Sequence, residues 1–205
     1  MRLDTMATPC SRLRSRGGWA EDLMGVRCSF PIGPWNTWSN VAYLLAGCYI
    51  WGWGRSLAGI VMGWSLVILG VGSLLYHGFK TVETNKMDRA GMYLVFGALS
   101  IHALPATEWT PWVMLLTGIL LAVLFNYVLN NVNLDVQMGV LFYYTLAAGL
   151  MYGDRELSLQ SFAVFLVALL AWQMDKRGSK WVGKYGHALW HCLTALAIPM
   201  MYLAQ

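Results

Sequence analysis

Three of the four histidines in this sequence have a spacing that suits a metal site. His187 and His191 are four residues apart, so on a helix their imidazoles lie on one face, one turn from each other. This spacing recurs in helical zinc sites because two such rings can chelate one ion. A third ring, from His77, would complete three protein ligands and leave a fourth position open for water, as in catalytic zinc sites.

Two more polar residues lie near His77 in the sequence. Ser73 precedes His77 by four residues and shares its helix face, and Asp88 follows eleven residues later. A carboxylate near a metal-bound water can act as general base or acid, and a hydroxyl can donate to a developing oxyanion. In the structural alternative the histidines only pack, and Asp88 pairs with Arg89, Lys86 or a helix N-terminus.

The composition indicates the solvent around these residues. The chain has 205 residues, of which 58% are hydrophobic and 12% are charged, and its mean hydropathy is +0.51. These values lie well above those of an ordinary soluble domain. A spanning helix needs roughly 20 apolar residues. We therefore expect an all-α membrane protein whose single bundle uses nearly all of the chain.

Seven apolar runs predict a bundle of seven transmembrane helices. The runs cover residues 36–54, 57–79, 88–104, 110–130, 134–152, 158–174 and 184–203. The weakest break, residues 130–134, contains no charge, so a six-span arrangement with one kinked helix stays open. The predicted organisation is a basic N-terminal arm over residues 1–34 and a seven-helix transmembrane domain over residues 35–205.

The basic residues predict the orientation of this bundle. With seven spans, twelve of the 14 Lys and Arg residues lie on the side of the N-terminus, and only Arg55 and Arg155 lie on the other side. The positive-inside rule then places the N-terminus in the cytoplasm. The same topology brings His77, Asp88 and the histidine pair to one membrane edge. The arm has no apolar core of signal-peptide length, so we interpret it as an orientation signal.

Other polar residues have simpler interpretations. Cys48 and Cys192 fall inside predicted helices and are expected to be free thiols. Asn36 and Asn40 share one face of the first span, where interhelical hydrogen bonds or support for the metal ligands are both possible roles. His102 lies near the other end of the third span and is expected to be a packing residue.

The motifs together resemble those of the alkaline ceramidase family. The resemblance lies in Ser73 with His77, in Asp88, in the segment His187-Ala188-Leu189-Trp190-His191, and in the run Trp35-Asn36-Thr37-Trp38-Ser39-Asn40. That family belongs to a superfamily of seven-helix membrane hydrolases that includes the progestin and adipoQ receptors and the Per1-like proteins. The resemblance covers the chain from about residue 19 to its end.

The resemblance implies a zinc-dependent amidohydrolase that cleaves the N-acyl bond of ceramide into a sphingoid base and a fatty acid. By the same resemblance His77, His187 and His191 would hold Zn²⁺, Ser73 would assist at the oxyanion, and Asp88 would transfer the proton. The implied partner is a membrane lipid, ceramide or a related N-acyl lipid, and not nucleic acid.

The sequence departs from the eukaryotic members of the family in the arm. Those proteins carry a calcium site there, with a glutamate two residues before the Trp-Asn-Thr run, where this chain has Gly33. Glu21 and Asp22 are the only acidic residues between Asp4 and the first span, and Ca²⁺ usually takes 6–8 oxygen ligands. The sequence therefore gives little support to a Ca²⁺ site. It favours a bacterial inner membrane over endoplasmic reticulum or Golgi.

A second function class remains open from the residues themselves. Intramembrane histidine and aspartate also occur in receptor-like bundles and in proton-relay or transport bundles, where a metal would be structural. A retinal-type photoreceptor is not expected, because Lys184 lies at the mouth of the seventh span and the span has no interior lysine.

Overall fold

The computed structural model describes residues 30–53, 56–128, 134–178 and 181–205. Those residues form helices and connecting turns, with no β-strand among them. The α-helices are α1 (Pro34–Trp38), α2 (Val41–Trp53), α3 (Leu57–Phe79), α4 (Val82–His102), α5 (Thr110–Val123), α6 (Leu134–Tyr152), α7 (Arg155–Lys176) and α8 (Gly186–Leu203). A π-helical turn, Leu124–Val128, extends α5, and a 3-10 turn, Gly183–Tyr185, precedes α8.

The all-α prediction is confirmed for the described residues. Three segments are long and apolar enough to cross a membrane, namely Leu57–Phe79, Thr110–Val128 and Arg155–Lys176, which is consistent with a membrane protein. The number of spans and the orientation stay predictions. Most of the predicted arm (residues 1–29), Arg55 and all but the last residue of the weak break at residues 130–134 lie outside the described residues.

The first apolar run is not the single continuous helix that we predicted over residues 36–54. α1 ends at Trp38, and α2 begins at Val41. The Asn40 side chain competes for helix carbonyls at this break, since its Nδ2 donates to the Asn36 oxygen at 2.6 Å. α2 has 13 residues, which corresponds to about 20 Å and is shorter than a hydrocarbon core of about 30 Å.

The third apolar run starts its helix earlier than residue 88, the predicted beginning. Thr81 caps the N-terminus of α4, because its hydroxyl accepts from the Thr84 backbone and the Thr84 hydroxyl accepts from the Thr81 backbone. The helix therefore begins at Val82. Asp88 lies in the second turn of α4 and not at its start, which buries it against α3.

Glycines allow α3 and α4 to approach closely beside Asp88. A Cβ atom on Gly72 would lie 2.9 Å from the Met87 carbonyl and 3.1 Å from the Asp88 nitrogen. A Cβ atom on Gly91 would lie 2.5 Å from the Leu69 Cα. Neither contact leaves room for a side chain. Small residues of this kind let helix backbones come together in membrane bundles.

α8 is held by two neighbours at the turns that carry its histidines. At its first residue, a Cβ atom on Gly186 would lie 2.8 Å from the Ala171 oxygen of α7. Farther along, the hydroxyls of Tyr43 in α2 and Thr194 in α8 are 2.5 Å apart. Because Thr194 donates to the Trp190 carbonyl at 2.6 Å, Tyr43 is the donor to Thr194. These contacts set the position of α8 against both helices.

Candidate metal centre

The structure brings the three predicted metal ligands together. His77 lies in the last turn of α3, and His187 and His191 lie in the first two turns of α8. One ring nitrogen from each histidine falls within 4.8 Å of the others, and all three side chains are buried. Nε2 of His77 and Nε2 of His187 are 3.1 Å apart. This group could hold a metal ion.

The geometry fits tetrahedral coordination by imidazole. With metal–nitrogen bonds of about 2.0–2.1 Å, two ligand nitrogens on a tetrahedral ion are about 3.3 Å apart. The His77–His187 distance is close to that value. Imidazole donors suit zinc, copper, nickel and iron, so the ligand set indicates a transition metal and not a hard, oxygen-seeking cation such as calcium.

His191 is oriented from its other ring nitrogen. Its Nδ1 lies 2.8 Å from the Ser39 hydroxyl oxygen, and the ring also hydrogen-bonds to the Asn36 backbone. Both partners belong to the Trp35–Asn40 run that the sequence analysis connected with the family resemblance. α1 therefore lies directly behind the ligand and leaves its Nε2 facing the other histidines.

Lys80 is a site residue that the sequence analysis missed. We counted it among the basic residues of the cytoplasmic side, but only 3% of its surface is exposed. Its Nζ lies 3.2 Å from Nδ1 of His77 and 4.9 Å from the centre of the Tyr76 ring. It ends α3 with φ 56°, ψ 37°, a left-handed conformation in which glycine or asparagine is usual. That conformation is visible only in the folded chain, so no feature of the sequence indicates that Lys80 is buried.

Asp88 is connected to the histidines through Lys80, whose Nζ lies beside His77. Its carboxyl group accepts a hydrogen bond from the Ser73 hydroxyl and feels the positive charge of Lys80. Both Ser73 and Asp88 are buried. The two sequence-predicted catalytic residues are thus in direct contact, through the close approach of α3 and α4 at Gly72.

The basic neighbours of Asp88 in sequence make contacts elsewhere. Arg89 donates to the Tyr93 hydroxyl at 3.3 Å and to the Phe125 carbonyl at 3.5 Å. The Nζ of Lys86 lies 4.9 Å from the centre of the Tyr127 ring. The charge of Arg89 also acts on Asp88, but the hydrogen bonds of the Arg89 guanidinium go to Tyr93 and Phe125.

The remaining polar residues lie away from this cluster or support it indirectly. His102 stacks on Tyr202 with ring centroids 4.2 Å apart, as expected of a packing residue. Cys48 and Cys192 are free thiols, as predicted. Asn126 is buried and donates to the Lys86 carbonyl at 3.2 Å. Cys10, Cys28, Asn130, Asn131 and Asn133 lie outside the described residues.

No protein-family model matches this sequence, and no curated protein matches it. The resemblance to the alkaline ceramidases therefore depends on the motif residues, whose positions in the fold are now described.

Proposed function

We propose that this protein is a zinc-dependent integral membrane amidohydrolase that cleaves the N-acyl bond of ceramide or a related N-acyl lipid. One observation carries the proposal. The hydrogen-bonded Ser73–Asp88 pair is linked through the buried Lys80 ammonium to His77, one of the three clustered histidines. A metal site that served only structure would need none of these three additional groups.

Each group has a task in amide hydrolysis. A zinc ion held by the histidines would supply a Lewis acid that polarises the carbonyl and activates water. The Asp88 carboxylate can accept a proton from the attacking water and return it to the amine, which is a poor leaving group until it is protonated. Ser73 donates to Asp88 and can turn its proton towards the oxyanion that develops on the amide oxygen.

Lys80 adds charge stabilisation to this scheme. Its ammonium group is buried and acts on Asp88, where low dielectric strengthens electrostatic interactions. A positive charge at this position favours the carboxylate form of Asp88, which is the form that can accept a proton. It also favours the negative charge that develops on the substrate oxygen.

A lipid amide suits the surroundings of the cluster. The chain is mostly apolar, and α3, the helix that supplies His77, is long and apolar enough to cross a bilayer. Acyl chains could enter from the lipid while the amide reaches the end of the helix.

We propose seven spans with a cytoplasmic N-terminus in a bacterial inner membrane. Residue 205 would then lie outside the cytoplasm, so a reporter enzyme that works only outside the cytoplasm should be active when it is fused after this residue. With six spans the same fusion should be inactive.

The direct test is a panel of N-acyl lipids. Purified protein in detergent or liposomes should release fatty acid from ceramide or a related N-acyl lipid in a zinc-dependent reaction. The matched control is His191→Ala, which lacks one of the proposed ligands. The proposal would be overturned if this variant released fatty acid at the same rate as the unchanged protein. It would also be overturned if the zinc-loaded protein released no fatty acid from any lipid amide.

A proton-relay or transport function is the second candidate, and one observation favours it. Lys80 Nζ, the two ring nitrogens of His77 and Nε2 of His187 form a continuous chain with distances of 3.2 and 3.1 Å. Intramembrane chains of this type conduct protons in pumps. Two results together would favour this candidate. Liposomes that contain the protein would show a proton flux that zinc chelators do not change, and the protein would hydrolyse no lipid amide.

A further inference from the structure

α1 connects two of the proposed metal ligands. At its start, the Gly33 nitrogen donates to the carbonyl of His77 at 3.1 Å, and the Ile32 nitrogen donates to the carbonyl of Gly78 at 3.0 Å. At its end, the Ser39 hydroxyl oxygen lies 2.8 Å from Nδ1 of His191. Five helical residues thus link the end of α3 to the beginning of α8.

One direction satisfies both hydrogen bonds of Ser39 at the end of α1. The Ser39 oxygen lies 3.2 Å from the carbonyl oxygen of Asn36, and a carbonyl can only accept. When Ser39 donates its single proton to Asn36, its oxygen accepts from Nδ1 of His191. His191 also hydrogen-bonds to the Asn36 backbone. Donation from Nδ1 to the Asn36 carbonyl would likewise require the ring proton to be on Nδ1.

The tautomer of His191 follows from this direction. A neutral imidazole carries one proton, so a proton on Nδ1 leaves the lone pair on Nε2. That lone pair is what a metal ion requires. Ligating histidines usually donate their other N–H to a carbonyl, a carboxylate or water, and loss of that partner typically weakens metal binding.

The Asn36 carbonyl is itself held in place. Asn40, which is fully buried, donates its Nδ2 to this oxygen at 2.6 Å and to the Thr37 carbonyl at 3.4 Å. The break between α1 and α2 changes the hydrogen bonds of this carbonyl. In a continuous helix over residues 36–54 the Asn40 backbone N–H would donate to the Asn36 carbonyl, whereas here it donates to the Thr37 carbonyl at 3.3 Å.

We propose that Ser39, backed by the carbonyl of Asn36, is the positioning residue that fixes the tautomer and ring orientation of His191. The inference rests on the proposed metal centre. It does not depend on the substrate, because it concerns metal affinity. Ser39 touches neither the substrate nor the metal in this scheme, and it acts only through His191.

The test compares zinc affinities of the full-length protein by competition with a chromogenic chelator. Ser39→Ala should weaken zinc binding by roughly 10- to 100-fold, and Ser39→Thr, which keeps the hydroxyl, should retain most of the affinity. The matched control is Ser65→Ala, since Ser65 is also a buried serine but its hydroxyl donates to the Val61 carbonyl of its own helix. It should bind zinc as the unchanged protein does.

A second readout concerns the tautomer directly. Long-range nitrogen–proton correlation spectra of the histidine rings should show the proton of His191 on Nδ1 in the unchanged protein and in Ser39→Thr. In Ser39→Ala that signal should shift or divide between the two tautomers. If Ser39→Ala fails to fold, as judged by circular dichroism, Ser39→Cys takes its place, since a thiol is a weak hydrogen-bonding group of similar size.

The outcomes separate the two proposals. Equal zinc affinity of Ser39→Ala and the unchanged protein would overturn the role of Ser39 and leave the metal centre intact. Equal losses in Ser39→Ala and Ser39→Thr would also overturn it, because they would indicate a packing effect. Failure of the unchanged protein to bind zinc more tightly than His191→Ala would instead overturn the metal centre itself.

Discussion

Nε2 of His77 lies 3.1 Å from Nε2 of His187, although 110 residues separate them in the chain. Two nitrogen lone pairs cannot face each other at this distance without a proton or a cation between them. Both rings are buried, so water cannot take that position freely. The contact therefore holds either a proton, in an N–H···N hydrogen bond, or a cation, and the third ring, from His191, adds a further nitrogen ligand to this position.

Removing a histidine from this group should remove the metal. We expect about one zinc per chain in the purified protein and close to none in His191→Ala, because two imidazoles alone leave the tetrahedral site half open. The matched control is His102→Ala, since His102 stacks on Tyr202 away from the cluster. Elemental analysis by mass spectrometry measures the metal content. Full zinc content in His191→Ala would contradict the prediction.

The Ser73–Asp88 pair should act as one unit in catalysis. Asp88→Asn should keep zinc but lose roughly 100- to 10,000-fold in the rate of amide hydrolysis, and Ser73→Ala should lose about 100- to 1,000-fold. Because the two side chains are hydrogen-bonded, the double variant should lose less than the product of the single losses. Fatty acid release under single-turnover conditions gives these rates. If the loss of rate in the double variant equals the product of the two single losses, the two residues act independently.

The buried ammonium of Lys80 should matter for the reaction and not for holding the metal. Lys80→Met keeps the side-chain length and removes the charge, and we expect a loss of roughly 10- to 100-fold in kcat. Zinc affinity should not fall, because an ammonium beside Nδ1 of His77 repels the metal and also opposes the Nδ1-protonated tautomer that ligation through Nε2 requires. Lys86→Met, at an exposed lysine that contacts Tyr127, is the control and should leave both quantities unchanged. Weaker zinc binding in Lys80→Met would contradict this account.

Gly72 should be needed for the contact between α3 and α4. Gly72→Ala places a methyl group 2.9 Å from the Met87 carbonyl, and the resulting overpacking should destabilise the fold by about 1–3 kcal/mol. Gly52→Ala is the control, since no atom lies within 4 Å of a Cβ at that position, and it should stabilise its helix by up to about 1 kcal/mol. Thermal unfolding in detergent compares the two. A Gly72→Ala variant as stable as the unchanged protein would show that the helices can separate at little cost.

Local sequence features predicted the helical content and several boundaries well. The apolar runs 57–79 and 134–152 coincide with α3 and α6, because runs of this length bounded by turn residues leave few alternatives to a helix. The run at residues 36–54 failed for an equally local reason. Asn40 lies inside this apolar run, and its side-chain amide competes with the helix backbone for a carbonyl.

The amino-acid sequence by itself determined that the chain is helical and apolar and that His187 and His191 share one helix face, because helix periodicity and side-chain transfer energies act locally. It also indicated Ser73, His77 and Asp88 as candidates. Only the tertiary structure decided that Lys80 is buried beside His77, that Ser39 lies within hydrogen-bonding distance of His191, and that Gly72 lets Asp88 reach Ser73. These relations depend on which helix packs against which, and on the direction of each side chain across that contact. Residue spacing along one chain segment carries no information about either.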